Sequence, residues 1–162
     1  MALTIGVLVY LVFGLLTGLC GSQRRIGFLG KSDTPFRFDG LEAERDGARE
    51  LGFTVIESEE LRALGPERYG ELVRNKVGER PVFLSFDIDF LDPAFAPGTG
   101  TPEIAGFSTA EAVAFLRALR GIDLAGCDVV EVSPPYDAPG QPTALAAANV
   151  LWELLALRAL RP

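Results

Sequence analysis

The sequence predicts an α/β domain in three layers, a parallel sheet with helices on both faces. Three observations carry this expectation. Short continuous apolar runs recur along the chain, as strands buried on both faces require. Charged or amphipathic segments of helical length separate them, as crossover connections between parallel strands require. With 162 residues, 48% of them hydrophobic, the chain is long enough for one compact domain with its own core.

Taken in order, residues 1–22 (MALTIGVLVYLVFGLLTGLCGS) carry no charged side chain and are followed by Gln23, Arg24 and Arg25. The run has the length of a membrane span, which needs about 20 apolar residues. Gly14 and Gly18 form a GxxxG pair suited to helix packing in lipid. An anchor here would leave the rest of the chain in the cytoplasm, because the basic residues follow the run. A buried apolar segment, or an N-terminus foreign to the domain, fits the same residues. A cleaved signal peptide fits less well, since no basic residue precedes the run. The chain therefore divides at residue 22, with an apolar segment over 1–22 and the domain over 23–162.

Within the domain, Ile26–Leu29 reads as a strand, Gly40–Leu51 as a charged helix with Gly52 as its C-cap, and Phe53–Ile56 as a strand. A polar helix over about Glu59–Val77 follows. Residues 81–89 (PVFLSFDID) form the clearest strand, and a long loop runs from there to about Phe107. Ser108-Thr-Ala-Glu111 is a capping box opening a helix to Gly121. Residues 126–132 (GCDVVEV) are a further strand, and residues 143–160 a long helix on whose apolar face Trp152 belongs to the core.

Composition narrows the function. The net charge of −7 leaves no basic patch to neutralise phosphates, which argues against a nucleic-acid partner. The two cysteines, Cys20 and Cys127, suggest no disulfide framework, and a reducing compartment is the default. There is no histidine, so the commonest general base and the commonest nitrogen ligand for metals are both missing.

What remains is a carboxylate constellation. Asp87 and Asp89 end the clearest strand, and at i and i+2 they project to the same side. Two buried carboxylates this close need a cation. No basic side chain lies between Arg80 and Arg117, so a hard divalent ion such as Mg, Mn or Ca is the simpler partner. Asp92 and the loop APGTGTP, with Thr99, Gly100 and Thr101, would brace the carboxylates. The plainer alternative is a solvent-facing strand end with Asp92 opening a turn. Glu131, at the end of the next strand, is either an acid satisfied by backbone N–H groups or an acceptor for a cationic ligand, since a carboxylate pairs with a guanidinium in a two-pronged fork. Asp128 reads as structural or exposed, and Asp137 as a turn residue tying down its loop. All three strand-end acids fall where ligands bind in open α/β sheets, beyond the carboxyl ends of the strands.

At these residues the chain resembles the ureohydrolases, the family of arginase, agmatinase, guanidinobutyrase and formiminoglutamase, and most of all the agmatinase-like branch. SFDIDFLDPAFAPGTGTPE (85–103) is similar to the family's second metal-binding signature, and DVVEVSPPYD with TALAAANVLWELL to its C-terminal strand and helix. The resemblance is strong over 81–160, weaker over 23–80 and absent over 1–22. It implies an arginase-like fold truncated at its N-terminal side. It also implies two manganese ions that make hydroxide from a bridging water, and hydrolysis of a small guanidino substrate to urea and an amine. By position, Asp87 would bridge both metals, Asp89 would bind one, Glu131 would receive the guanidinium, and Thr99, Gly100 and Thr101 would shape the pocket rim. The family's two histidine-containing ligand motifs are not in this sequence. The resemblance therefore implies half of a metal site, inactive alone unless a second polypeptide such as a complementing N-terminal half supplies the missing ligands; a homo-oligomer is the other partner it allows. A non-catalytic, membrane-tethered binding or assembly module is the alternative.

Overall fold

The computed structural model describes residues 53–102 and 104–160, together with two strands nearer the N-terminus. Those strands are β1 (Leu8–Leu11) and β2 (Arg25–Leu29). They are followed by β3 (Phe53–Ile56), helix α1 (Ser58–Val77), β4 (Val82–Asp87), α2 (Thr109–Ala118), β5 (Leu124–Val130) and α3 (Pro142–Ala159). The helix expected over Gly40–Leu51 and its cap lie outside the described residues.

The predicted α/β alternation is present, and both pairs formed by the expected strands are parallel. β2 pairs with β3, from Arg25 opposite Phe53 to Phe28 opposite Ile56. β4 pairs with β5, from Val82 opposite Leu124 to Asp87 opposite Val130. One pairing differs from expectation. β1 is antiparallel to β2, Leu8 opposite Leu29, and also runs close to β4. It thus sits between the two parallel pairs, and the strand order across them is β3-β2-β1 beside β4-β5. An extended strand at Leu8–Leu11 differs from the helix that an anchor over 1–22 would need, and the rest of that run lies outside the described residues. Period alone does not separate the two, since an unbroken apolar run suits a buried strand as well as a helix. Among the described residues, no helix is long and apolar enough to cross a membrane.

The core lies under β4 and between the helices. Val82, Leu84, Phe86 and Ile88 are buried in sequence along the strand and its end. α1 contributes Leu61, Tyr69, Val73 and Val77, spaced by fours or eights along one helix face. α1 packs on α2, α2 on α3, and α3 on β5. α1 is not continuous: Gly65 leaves helical geometry at φ 73°, ψ 165°, and Pro66 restarts it. The Gly-Pro pair is a breaker that the sequence displays openly.

The capping box is present as predicted. The Glu111 carboxylate accepts from the Ser108 N–H at 2.7 Å, and the Ser108 hydroxyl accepts from the Glu111 N–H at 3.2 Å. A ring ladder runs from the end of β4 towards the helices. Phe86 meets Phe90 edge-on at 5.6 Å, Phe90 stacks on Phe107 at 4.3 Å, and Phe107 meets Phe115 edge-on at 5.7 Å. The α2–α3 contact carries a two-pronged ion pair between Arg117 and Glu153, at 2.6 and 2.9 Å.

Candidate metal and guanidinium site

β4 ends at Asp87, two residues earlier than the sequence suggests. The chain then makes a short 3₁₀ turn over Ile88–Phe90. The alternation argument for Asp87 and Asp89 thus gives way to a different geometry. Asp87 caps the turn, its Oδ1 accepting from the Asp89 N–H at 2.9 Å. The two carboxylates are brought together by a turn rather than by a strand face. Both are buried, at 3% exposure each.

Such burial needs donors. Asp89 receives them from the loop: the Thr99 hydroxyl donates to Oδ1 and the Thr101 hydroxyl to Oδ2 at 2.5 Å. The two threonines expected at a pocket rim therefore grip Asp89 directly, one on each oxygen. Thr99 is buried, and Thr101 and Gly100 lie at the surface. A side chain at Gly100 would meet open space, so packing does not demand glycine there.

The loop that carries these threonines is closed at its neck. Asp92 N–H donates to the Phe107 carbonyl and Phe107 N–H to the Phe90 carbonyl, both at 2.9 Å. Gly106 makes the closure fit, because a Cβ there would fall 2.5 Å from the Asp92 nitrogen. Arg62 locks the same neck from α1. Its guanidinium donates to the carbonyls of Ala105 and Gly106, pairs with Glu111 at 2.9 Å and lies 4.0 Å over the Phe107 ring. Asp92 serves as a turn opener, its Oδ1 accepting from the Ala94 N–H at 2.8 Å, as the plainer alternative holds for it.

Glu131 stands one residue beyond β5, next to Val130, the register partner of Asp87. It is exposed and adopts a left-handed backbone, φ 63°. A non-glycine residue held there stores backbone strain, a condition that clusters at functional sites. The geometry places Glu131 at the same end of the sheet as Asp87 and Asp89. Asp137 ties down the following loop, as expected. Its carboxylate accepts from the N–H groups of Ala138, Thr143 and Ala144 at 2.9 to 3.1 Å. Burial pushes its carboxyl upward, but these donors and the Thr143 hydroxyl outweigh that and hold it below its ordinary value. Thr143 is a residue the sequence reading missed. It is fully buried, and its Oγ1 accepts from the Gly98 N–H at 2.8 Å.

Two expectations about neighbouring residues change. Trp152 is not core but 71% exposed. α3 is apolar nearly all round, so its sequence does not mark which face turns inward; Val150, Leu154 and Leu157 do. Asp128 is half-buried, and among the described residues its buried Oδ1 has no hydrogen-bond partner. Cys127, beside it, has its thiol pushed up by burial and by the Asp128 charge, which disfavours the reactive thiolate.

The donors suit a hard ion and are too few for two. Asp87 and Asp89 offer carboxylate oxygens in the chemistry that Mn or Mg prefers. Among the described residues, however, no group of three or more His, Cys, Asp or Glu side chains is placed to hold a metal ion.

Residues 22–157 match the arginase family over most of the chain. The chain belongs to that family. It is 52% identical to a guanidinobutyrase of Pseudomonas aeruginosa over 120 residues, 74% of this chain and 37% of the relative. It is 51% identical to a mitochondrial agmatinase of Gallus gallus over 140 residues, 84% of this chain and 38% of that one. Among solved structures, proclavaminate amidino hydrolase from Streptomyces clavuligerus superposes with a TM-score of 0.68 at 46% identity, over 70% of this chain and 38% of its own. The arginase-like fold is thereby established for the matched part. The chain spans little more than a third of the length of these relatives.

Proposed function

We propose that these residues form the C-terminal part of a ureohydrolase that splits a small linear guanidino compound into urea and an amine. The observation that carries this reading is the buried Asp87–Asp89 pair, with Asp89 gripped on both oxygens by Thr99 and Thr101. A carboxylate held this rigidly offers its remaining lone pairs in fixed directions, as a metal ligand must. The family's two manganese ions, when bound, supply a Lewis acid and a source of hydroxide at neutral pH.

Within that reading each residue has a task. Asp87 and Asp89 hold one side of the centre. Thr99 and Thr101 fix the Asp89 carboxylate. Glu131 accepts the guanidinium, to which a carboxylate is matched by charge and by fork geometry. The other side of the centre comes from polypeptide outside these 162 residues, because two carboxylates cannot define the coordination of two ions. The named relatives, a guanidinobutyrase and an agmatinase, share the guanidino group in their substrates and differ in what it is attached to, which makes the group itself the recognised feature.

The test is urea release with added Mn from agmatine and from 4-guanidinobutyrate. It compares this chain alone with the chain mixed with the segment of the Pseudomonas guanidinobutyrase that precedes the matched region. Urea is expected only from the mixture. Robust release by the chain alone would overturn the incomplete-site reading. A folded, associated mixture without urea would overturn the site assignment.

A further inference from the structure

We propose that Thr143, at the start of α3, is a positioning residue that locks the Asp89 loop to the Glu131 loop through Gly98. The purpose of the lock rests on the site reading above; the lock itself rests on bonding.

Both backbone groups of Gly98 are engaged across the site. Its N–H donates to Thr143 Oγ1 and its carbonyl accepts from the Ser133 N–H, each at 2.8 Å. The residue after Gly98 is Thr99, whose hydroxyl holds Asp89. Ser133 lies two residues after Glu131. One glycine thus joins the segment that grips the metal-side carboxylate to the segment that sets the guanidinium-side carboxylate. Its fit leaves no room for another residue, since a Cβ would fall 2.8 to 2.9 Å from the Cβ, Cα and Cγ of Asp137.

Thr143 closes the arrangement because its hydroxyl oxygen can accept from one loop while its backbone N–H holds the other. Its oxygen takes the Gly98 N–H at 2.8 Å, and its backbone N–H donates to the Asp137 carboxylate at 3.1 Å. That carboxylate is in turn fixed by the first N–H groups of α3, which a helix leaves unpaired. The rigid element is therefore α3, and the chain of contacts runs from α3 through Asp137, Thr143 and Gly98 to both loops. Valine has the shape of threonine but cannot accept from the Gly98 N–H. Serine can.

The experiment compares the wild-type chain with Thr143→Val and Thr143→Ser. It reads amide hydrogen exchange by NMR and Mn binding by calorimetry. In Thr143→Val, exchange at Gly98 and Ser133 is expected to accelerate about tenfold or more relative to the β4 amides of Leu84 and Phe86. Mn affinity should fall about tenfold, as for loss of an outer partner of a ligand. Thr143→Ser should restore both. Wild-type protection at Ser133 in the valine variant would overturn the proposal, as would a loss of protection spread evenly over β4. Should the valine variant not fold, Asp137→Asn gives a milder form of the same test. Faster exchange at Gly98 and Ser133 supports the lock, and changes confined to Thr143 and Ala144 overturn it. Absence of Mn binding by the wild type would remove the metal reading, while the exchange data would still decide the lock.

Discussion

β4 and β5 lie side by side, run parallel and end at the same level, yet they treat their carboxylates in opposite ways. At the end of β4, Asp87 and Asp89 are buried, and Asp89 has a donor on each oxygen. Just past β5, Glu131 is exposed on a left-handed backbone, and within β5 the buried Asp128 Oδ1 has no partner. The side chains follow the same division. β4 is largely buried along its length, whereas β5 after Leu124 is half-buried or exposed, and α3 beside it exposes Leu145, Trp152 and Leu155. The difference teaches that, among the described residues, hydrogen-bond donors are built in at the β4 end and not along β5. A buried charge is tolerable where its donors are built in, and Asp89 meets that condition while Asp128 does not.

The strongest way to break this comparison is through metal binding. Asp89→Ala is expected to abolish the heat of Mn binding, while Glu131→Ala leaves it unchanged, because in the proposed site the β4 end supplies the ligands and Glu131 takes the guanidinium. Identical titrations for wild type and Asp89→Ala would remove Asp89 from any metal role. Equal losses in both variants would make the two strand ends one site.

Packing gives the next largest effect, and the register supplies a matched pair. Leu84 and Cys127 sit opposite each other on β4 and β5, with Leu84 2% exposed and Cys127 half-buried. Leu84→Ala should cost about 2–5 kcal/mol, the range for a buried leucine that leaves a cavity. Cys127→Ala should cost about 1 kcal/mol or less, as for partly exposed sites. Urea unfolding of both variants measures the contrast, and equal costs would show that the β5 side is packed as fully as β4.

Glu131 offers a smaller effect of opposite sign. A left-handed backbone costs a non-glycine residue roughly 1–2 kcal/mol, part of which glycine recovers against its greater freedom when unfolded. Glu131→Gly should therefore raise stability by about 0.5–1 kcal/mol while removing the proposed guanidinium acceptor. A lower urea midpoint in the variant would show that the conformation is held by contacts of the side chain.

Much of this was legible in the sequence, and the misses share physical causes. The capping box at Ser108, the strand beginning near Val82 and the long last helix were each marked by local chemistry that tertiary packing did not override. The carboxylate pair was recognised for the wrong geometric reason. A strand period was extended over Asp89, where the chain had already turned, so the residues were right and their faces were not. Trp152 was misplaced because a helix apolar on all sides carries no inward mark. β1 was missed because an unbroken apolar run has no period of its own. Gly65-Pro66 was readable and overlooked. Thr143 carried no signal a single sequence could show, since its importance arises from a contact 45 residues away.

The smallest expected effect concerns acid, and its sign follows from the direction of three shifts. The Ser108 N–H, with Ser108's hydroxyl and Arg62, holds the Glu111 carboxyl below its ordinary 4.5 against the opposing effect of burial. The Arg117 guanidinium does the same for Glu153, again against burial. For Asp137, burial raises the carboxyl, but its four donors bring the balance below 3.8. In each case the unfolded chain binds a proton more readily than the folded one, so stability rises with pH across the window. The contribution is fully present above about pH 4.5 and is lost as the pH falls through the depressed folded values. Glu111 and Glu153 belong to ion pairs reaching the solvent, so their share should shrink in high salt. Asp137 draws on neutral backbone and hydroxyl donors, so its share should persist. Urea midpoints at pH 6 and pH 3, in low and high salt, for wild type, Glu153→Gln and Asp137→Asn separate the two. A salt-insensitive fall that survives Asp137→Asn would mean that the cap of α3 is not where acid first weakens the β5 side.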